Sequence, residues 1–220
     1  MIVALPTILS LGLLVFLLRD SLHDWAIERW SSDQYAYVES LAHDIEADIT
    51  QAAELLRIAA ATDAFEALTE LKHIDLSING IPEHLDSGKR RIMEHLRTNG
   101  GFSVVFVLTP KGDHYISHPF SVQGSLKKYN LSDRSYFQQA TATRKLSISD
   151  SFTGSDGVPA VAIDLPIVDA QGDIAMHLGG VLHLKHLSDF LAAYKIDPFD
   201  FAVLRDRNNL RIAESDASRL

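Results

Sequence analysis

Between Phe102 and Leu184 the chain repeats one pattern: runs rich in β-branched and aromatic residues, separated by short polar turns. Phe102 to Thr109 reads as a strand, Pro110-Lys111-Gly112-Asp113 as a turn, and His114 to Phe120 as the returning strand. Leu146 to Phe152, Val158 to Val168 and Ile174 to Leu184 repeat the pattern, divided by Gly154-Ser155-Asp156-Gly157 and Ala170-Gln171-Gly172-Asp173. A turn of four residues joins only antiparallel neighbours, because a parallel pair needs a crossover of a dozen residues or more. The expectation is a five-stranded antiparallel sheet.

Upstream the periodicity is helical. Asp20 to Ala60 contains neither Gly nor Pro, and Val38, Leu41, Ile45, Ile49, Ala52, Leu56 and Ala59 step by three or four residues onto one face. That stripe suits either docking on the domain's own sheet or the seam of a homodimer. Thr62 and Asp63 can cap a second, short helix. Ser87 to Arg97 forms another, with Ile92, Met93 and Leu96 facing inward and Asn99-Gly100-Gly101 ending it. Helices on the early side of an antiparallel sheet make an α+β layer fold.

The first 18 residues, Met1 to Leu18, carry no charged side chain. As a helix they would be about 27 Å long, close to one bilayer core. They lack the basic start and small-x-small site of a cleaved signal peptide, so a retained membrane anchor is expected. Arg19 and Arg29 follow this run and no basic residue precedes it, so charge does not fix its orientation.

A net charge of −9 without a clustered basic face excludes a phosphate-backbone grip, so no nucleic acid partner is expected. The absence of cysteine removes disulfides, thiolate metal sites and cysteine nucleophiles. No Gly-x-Ser-x-Gly elbow, phosphate loop, dinucleotide fingerprint or His-Glu-x-x-His run occurs. No enzyme activity, cofactor or metal is therefore expected. Ten histidines include the pairs His114 and His118, and His183 and His186, but neither pair brings a third ligand. On a regular strand His114 and His118 would share a face, and His118, at the strand's end, is a candidate pocket residue that would make affinity depend on pH. Asp164 and Asp169 read as a solvated strand edge and turn.

Asn130-Leu131-Ser132-Asp133-Arg134-Ser135-Tyr136-Phe137-Gln138-Gln139-Ala140 resembles the central motif of Cache domains, the PAS-like extracytoplasmic sensors of bacteria. The long first helix, the strand order, Pro166, the Gly172 turn and the paired Gly179-Gly180 extend the resemblance over roughly Leu41 to Leu187. It implies that the Asp133-Arg134 run opens a short helix over a ligand pocket. Independently of the resemblance, Arg134 at a helix start adds a planar, permanently charged fork to backbone amides that already favour anions, and a carboxylate is its natural partner. The rival role for Arg134 is a structural pair with Asp133 or Asp150. Tyr136 and Phe137 would supply ring surface.

Amino-acid-sensing members of the double Cache family add a Tyr five residues before the Arg and an Asp on the last strand. Tyr129 matches the first, whereas Val181, after Gly179-Gly180, stands where the Asp would be. A buried ammonium needs a compensating anion that valine cannot supply, so the resemblance points to a small carboxylate without an amine.

A further echo links Val107 to Asp113 with Val203 to Asn209, Asn208 standing for Gly112 as the left-handed turn residue. It reads as the opening hairpin of a second module, with His186 to Lys195 connecting. The expected organisation is a transmembrane helix over 1–19, a long helix over 20–62, a membrane-distal sensor module over 63–187 and the start of a truncated membrane-proximal module over 188–220. Such a chain would be the periplasmic, inner-membrane-anchored sensor of a bacterial signal-transduction or chemotaxis receptor, with Arg134, Tyr136, Phe137, Tyr129, His118 and Val181 at the ligand. The alternative is a membrane-tethered dimerisation or protein-interaction module.

Overall fold

The computed structural model describes residues 29, 32, 35–36, 38–153, 158–184, 191 and 203–215. The expected anchor, the Gly154–Gly157 turn and nearly all of the connecting helix lie outside these residues. No helix among the described residues is long and apolar enough to cross a membrane. The chain divides into two compact units, Met1–Asp48 and Ile49–Leu220.

Residues 38–60 are helical (α1). In the first unit Leu41 is buried and Val38 exposed. In the second unit the apolar stripe is buried at Ala52, Ala53, Leu56 and Ala59, and the polar Gln51, Glu54 and Arg57 face out. Thr62 precedes a single 3-10 turn, Asp63–Phe65, rather than an α-helix; Phe65 is fully buried at its end. Helix α2 spans Ser87–Gly100 and ends on Gly101 at φ 69°, the left-handed close expected of a glycine. Its Met93 and Leu96 are buried as the spacing requires. Lys89 and Arg90 are buried too. Lys89 Nζ reaches Asp86 Oδ2 and the Ala67 carbonyl, both at 2.8 Å, and Tyr115 Oη donates to the same Asp86 oxygen at 2.8 Å.

The strands are β1 (Phe102–Leu108), β2 (His114–His118), β3 (Ser147–Ile148), β4 (Phe152–Thr153), β5 (Pro159–Val168) and β6 (Ile174–His183). They form one antiparallel sheet in the order β2-β1-β6-β5-β3, with β4 also paired to β5. Six strands replace the five expected because Leu146 to Phe152 is not continuous. Ser149 interrupts it: its Oγ accepts the Ala162 N–H at 2.9 Å, where a backbone carbonyl would otherwise stand. Pro166 lies beyond the reach of β3 on β5, where no ladder donor is needed.

Edge strand β2 stops at His118 rather than Phe120, since Pro119 has no N–H to continue the ladder. A six-residue helix, α3 (Phe120–Ser125), follows. It covers the edge. Gln123, fully buried, accepts from Ser117 N at 3.0 Å and donates to the Ile81 carbonyl at 2.9 Å, while the Tyr129 carbonyl takes the His114 N–H at 3.0 Å. Helix α4 spans Ser135–Thr143.

Three hairpin turns share one construction. Thr109, Asp169 and Asp206 each offer a side-chain oxygen to the N–H groups two and four residues on. Gly112, Gly172 and Asn209 take the left-handed conformation, at φ 85°, 85° and 63°, beside a register shift in each ladder. The third turn joins β7 (Val203–Arg205) to β8 (Arg211–Glu214), the hairpin read as an echo. Its left-handed residue is Asn209, not Asn208, so the repeat is offset by one residue from the expected alignment. Asp206 accepts from Ser151 Oγ, and Arg207 and Asn208 hold Asp150.

Candidate functional site

The register of β1 and β6 sorts the sheet into two faces. Phe106 and Leu108 point to one, where they form an apolar cluster with Ala162, Tyr136 and Phe137; Leu131, Phe152 and Val181 pack on it and stay partly open. Val105 and Val107, fully buried, point to the other face. Helix α4 therefore covers the Phe106 face.

The start of α4 is placed by the turn below it. Leu131 N donates to the Gly112 carbonyl at 2.8 Å, and Asn130 Nδ2 reaches the Lys111 carbonyl and Asp113 Oδ1. A Cβ at Gly112 would stand 2.7 Å from Ser132 N, so this position needs glycine for space as well as for its positive φ. Arg134 is the N-cap of α4, exposed, and its guanidinium makes no hydrogen bond or ion pair with any described residue. The two carboxylates offered as structural partners are engaged elsewhere: Asp133 with Lys128 at 2.5 Å, which holds its carboxyl below the usual range, and Asp150 with Arg207. The Arg134 charge also acts on Asp133, but among the described residues nothing hydrogen-bonds the fork, which lies beside backbone amides that a helix start leaves without internal partners.

Tyr136 and Phe137 follow on the inner side, 9% and 5% exposed. Burial first, then the field of Asp164, pushes the Tyr136 hydroxyl far above its ordinary range, while Arg134 pulls it back. Tyr136 thus lies within electrostatic reach of the outer cation and of an inner acid. Val181 sits against the same cluster, facing Val104 and Ala162 across the ladder. Tyr129 is half-buried, and its carbonyl serves the β2 edge.

His118 is not gathered with these residues. The β1–β2 bulge gives β2 one extra residue, so His114 pairs with Leu108 and His118 with Val105, on opposite faces. His118 Nε2 meets Glu94 of α2 at 2.6 Å. The shared face expected for His114 and His118, and the pocket role expected for His118, rest on a regular strand that this bulge breaks.

His114 takes the Phe106 face instead, with Nδ1 3.0 Å from Ser117 Oγ and its ring edge-on to Phe106 at 6.2 Å. Burial lowers its pKa to about 4, so it is neutral at pH 7. Asp164, read as a solvated edge residue, is fully buried, as is His177; Oδ2 lies 2.9 Å from His177 Nδ1. The Phe137 ring stacks on the His177 imidazole at 4.3 Å, and Thr141 Oγ1 lies 3.5 Å from His177 Nε2. Burial raises the Asp164 carboxyl above the ordinary range, and the His177 hydrogen bond offsets part of that. Asp164 has no apolar alternation to betray it. The one available signal was its register opposite Gly179, which depends on the turn at Gly172. Asp169 is exposed in that turn, as expected.

The paired glycines make room for rings. A Cβ at Gly179 would stand 2.5 Å from the Phe106 ring, and one at Gly180 would stand 2.4 Å from Phe102 on the opposite face. Among the described residues no group of three or more His, Asp or Glu side chains is arranged to hold a metal ion.

No family model matches the chain. Over 107 residues, 48% of this chain and 20% of the other, it is 31% identical to sporulation kinase D of Bacillus subtilis strain 168. Among solved structures it is similar to an extracellular ligand binding receptor from Desulfohalobium retbaense, with TM-score 0.60 and 13% identity over 83% of this chain and 31% of that one. It is also similar to the ligand-binding domain of the Pseudomonas aeruginosa amino acid chemoreceptor PctC in complex with GABA, with TM-score 0.53 and 19% identity over 76% and 67%. The chain thus spans a fifth of the kinase and under a third of the Desulfohalobium receptor. Its fold is that of the Cache-type sensor domains of bacterial chemoreceptors.

Proposed function

We propose that this chain is the extracytoplasmic sensing region of a bacterial membrane receptor and binds a small carboxylate between α4 and the Phe106 face of the sheet. The Arg134 guanidinium, unpaired among the described residues, carries this reading. Lys128 binds Asp133 and Arg207 binds Asp150, and no described residue hydrogen-bonds the guanidinium at the start of α4. The ligand carboxylate would be held by Arg134 and the first amides of α4. Its body would lie against Tyr136, Phe137 and Val181, reached past the partly open Leu131 and Phe152. Tyr129 would flank the carboxylate from the loop before α4. Sensing in the structural neighbours, one of them bound to GABA, supports the small-molecule class. An N-terminal span anchoring the region in the inner membrane, and pairing of two chains along α1, complete the proposal. Binding would then shift the balance between two packings of α4 on the sheet.

A thermal-shift screen of the full chain in detergent against short organic acids and amino acids tests this. The expected result is stabilisation by at least one carboxylate, abolished by Arg134→Ala. No stabilisation by any carboxylate, together with a robust dimer, would instead favour the interaction module.

A further inference from the structure

Among the described residues, two buried polar atoms on the Phe106 face lack any hydrogen-bond partner: Asp164 Oδ1, in a residue with no exposed surface, and His114 Nε2, in a residue 2% exposed. An unsatisfied buried polar group costs roughly 1–3 kcal/mol, so each one calls for an explanation. Asp164 is the more informative, because its orphan oxygen is an acceptor in either charge state when His177 carries its hydrogen on Nε2, toward Thr141 Oγ1, whose own hydrogen goes to the Phe137 carbonyl. If the carboxyl is ionised, Oδ1 is an acceptor. If it carries a proton, Oδ2 shares that proton with His177 Nδ1 at 2.9 Å, and Oδ1 is the carbonyl oxygen, again an acceptor. His177 is held in turn by the Phe137 stack and faces Thr141, so the carboxyl is fixed in place with one lone-pair edge unused. Asp164 stands opposite Gly179 and Gly179 opposite Phe106, so the carboxyl lies on the face that α4 covers, and Arg134 is at the start of that helix.

Resting on the site proposed above, we infer that Asp164, oriented by His177, is the inner pole of that site and takes a hydrogen-bond donor, a hydroxyl or ammonium, on the ligand whose carboxylate Arg134 holds. Val181 leaves β6 without an acidic group at that point, and Asp164 supplies an acceptor from the neighbouring strand, opposite Gly179. The ligand is then a donor-bearing carboxylate, such as a 2-hydroxy or 2-amino acid, rather than a simple fatty acid.

Calorimetric titration of the full chain in detergent with two matched sets tests this: propionate, L-lactate and L-alanine, then isovalerate, L-2-hydroxyisovalerate and L-valine. In at least one set a donor-bearing member should bind about 10- to 100-fold more tightly than its donorless analogue, the range of one hydrogen bond to a charged or buried acceptor. Asp164→Leu should erase that preference, whereas Arg134→Ala should weaken every member alike. If Asp164→Leu does not fold, Asp164→Asn keeps shape and Oδ1; it should preserve the hydroxyl preference and cut any ammonium preference about tenfold. Equal affinity for donor-bearing and donorless ligands, all of it lost in Arg134→Ala, overturns this inference and leaves the carboxylate site standing. A preference that survives Asp164→Leu also overturns it. No binding of any of the six compounds overturns the inference together with the site it rests on.

Discussion

Alanine at Gly179 would put a methyl carbon 2.5 Å from the Ile163 carbonyl oxygen and 2.5 Å from two carbons of the Phe106 ring. Both contacts are far inside van der Waals distance, and the first is to backbone in the ladder between β5 and β6, which has no rotamer to change. Relief requires separating two central strands or lifting Phe106 out of the cluster beneath Tyr136. Overpacking of this kind costs about 1–3 kcal/mol, and the rigid backbone partner puts Gly179→Ala near the upper end. For a chain of this size that corresponds to a melting temperature lower by roughly 6–12 °C. At Gly180 the three nearest atoms to an added methyl all belong to the Phe102 ring, which can yield, so Gly180→Ala should cost less. Gly124, in α3 with nothing within 4 Å of its added methyl, is the control: alanine there should be neutral or stabilise by up to about 1 kcal/mol through the unfolded chain. Thermal melts followed by circular dichroism rank the three. A Gly179→Ala protein melting with the wild type would refute the seating of Phe106 over β6.

Lys89→Met strands Asp86 with only the Tyr115 hydroxyl, and breaking so buried a pair should cost about 3–5 kcal/mol. The double change with Asp86→Asn should cost clearly less than the two single changes added, and additivity in urea denaturation would show that the pair is not coupled. Glu94 is held down to about 2, from 4.5, first by its hydrogen bond to Arg97 and then by that to His118. A depressed carboxylate adds stability above its unfolded pKa and loses it as pH falls through the folded one. The melting difference between wild type and Glu94→Gln should therefore hold at neutral pH and close between pH 4.5 and about 2; a gap that stays open to the acid limit excludes the linkage.

Much of the architecture is legible in the residues, because its signals are local. Gly101, Gly112 and Gly172 each stop an element by taking a conformation other residues resist, and the β-branched runs between them can only pair antiparallel. What escapes is set by single hydrogen bonds. Ser149 Oγ splits one expected strand into β3 and β4, and Gln123 gives α3 its reason to exist by serving Ser117 N and Ile81 O. The site divides the same way. Arg134 at the start of α4 follows from the motif, whereas the ion pairs that join Asp133 to Lys128 and Asp150 to Arg207 appear only in the folded chain. His118 and Asp164 depart from expectation for different reasons: a bulge breaks the strand alternation before His118, and no local pattern reports the buried carboxylate of Asp164. Facing across strands is a property of register, and register depends on bulges that composition does not announce.

The most direct measurement is on the Arg134 side chain itself. Its guanidinium Nε–H resonance, assigned by its disappearance in Arg134→Lys, should be an exchange-broadened solvent-facing signal in the free chain. It should shift and sharpen on saturation with whichever carboxylate stabilises the protein, as a fork held bidentately would. If a carboxylate binds and that resonance does not move, the ligand is held elsewhere, and the account of Arg134 as the carboxylate's anchor fails.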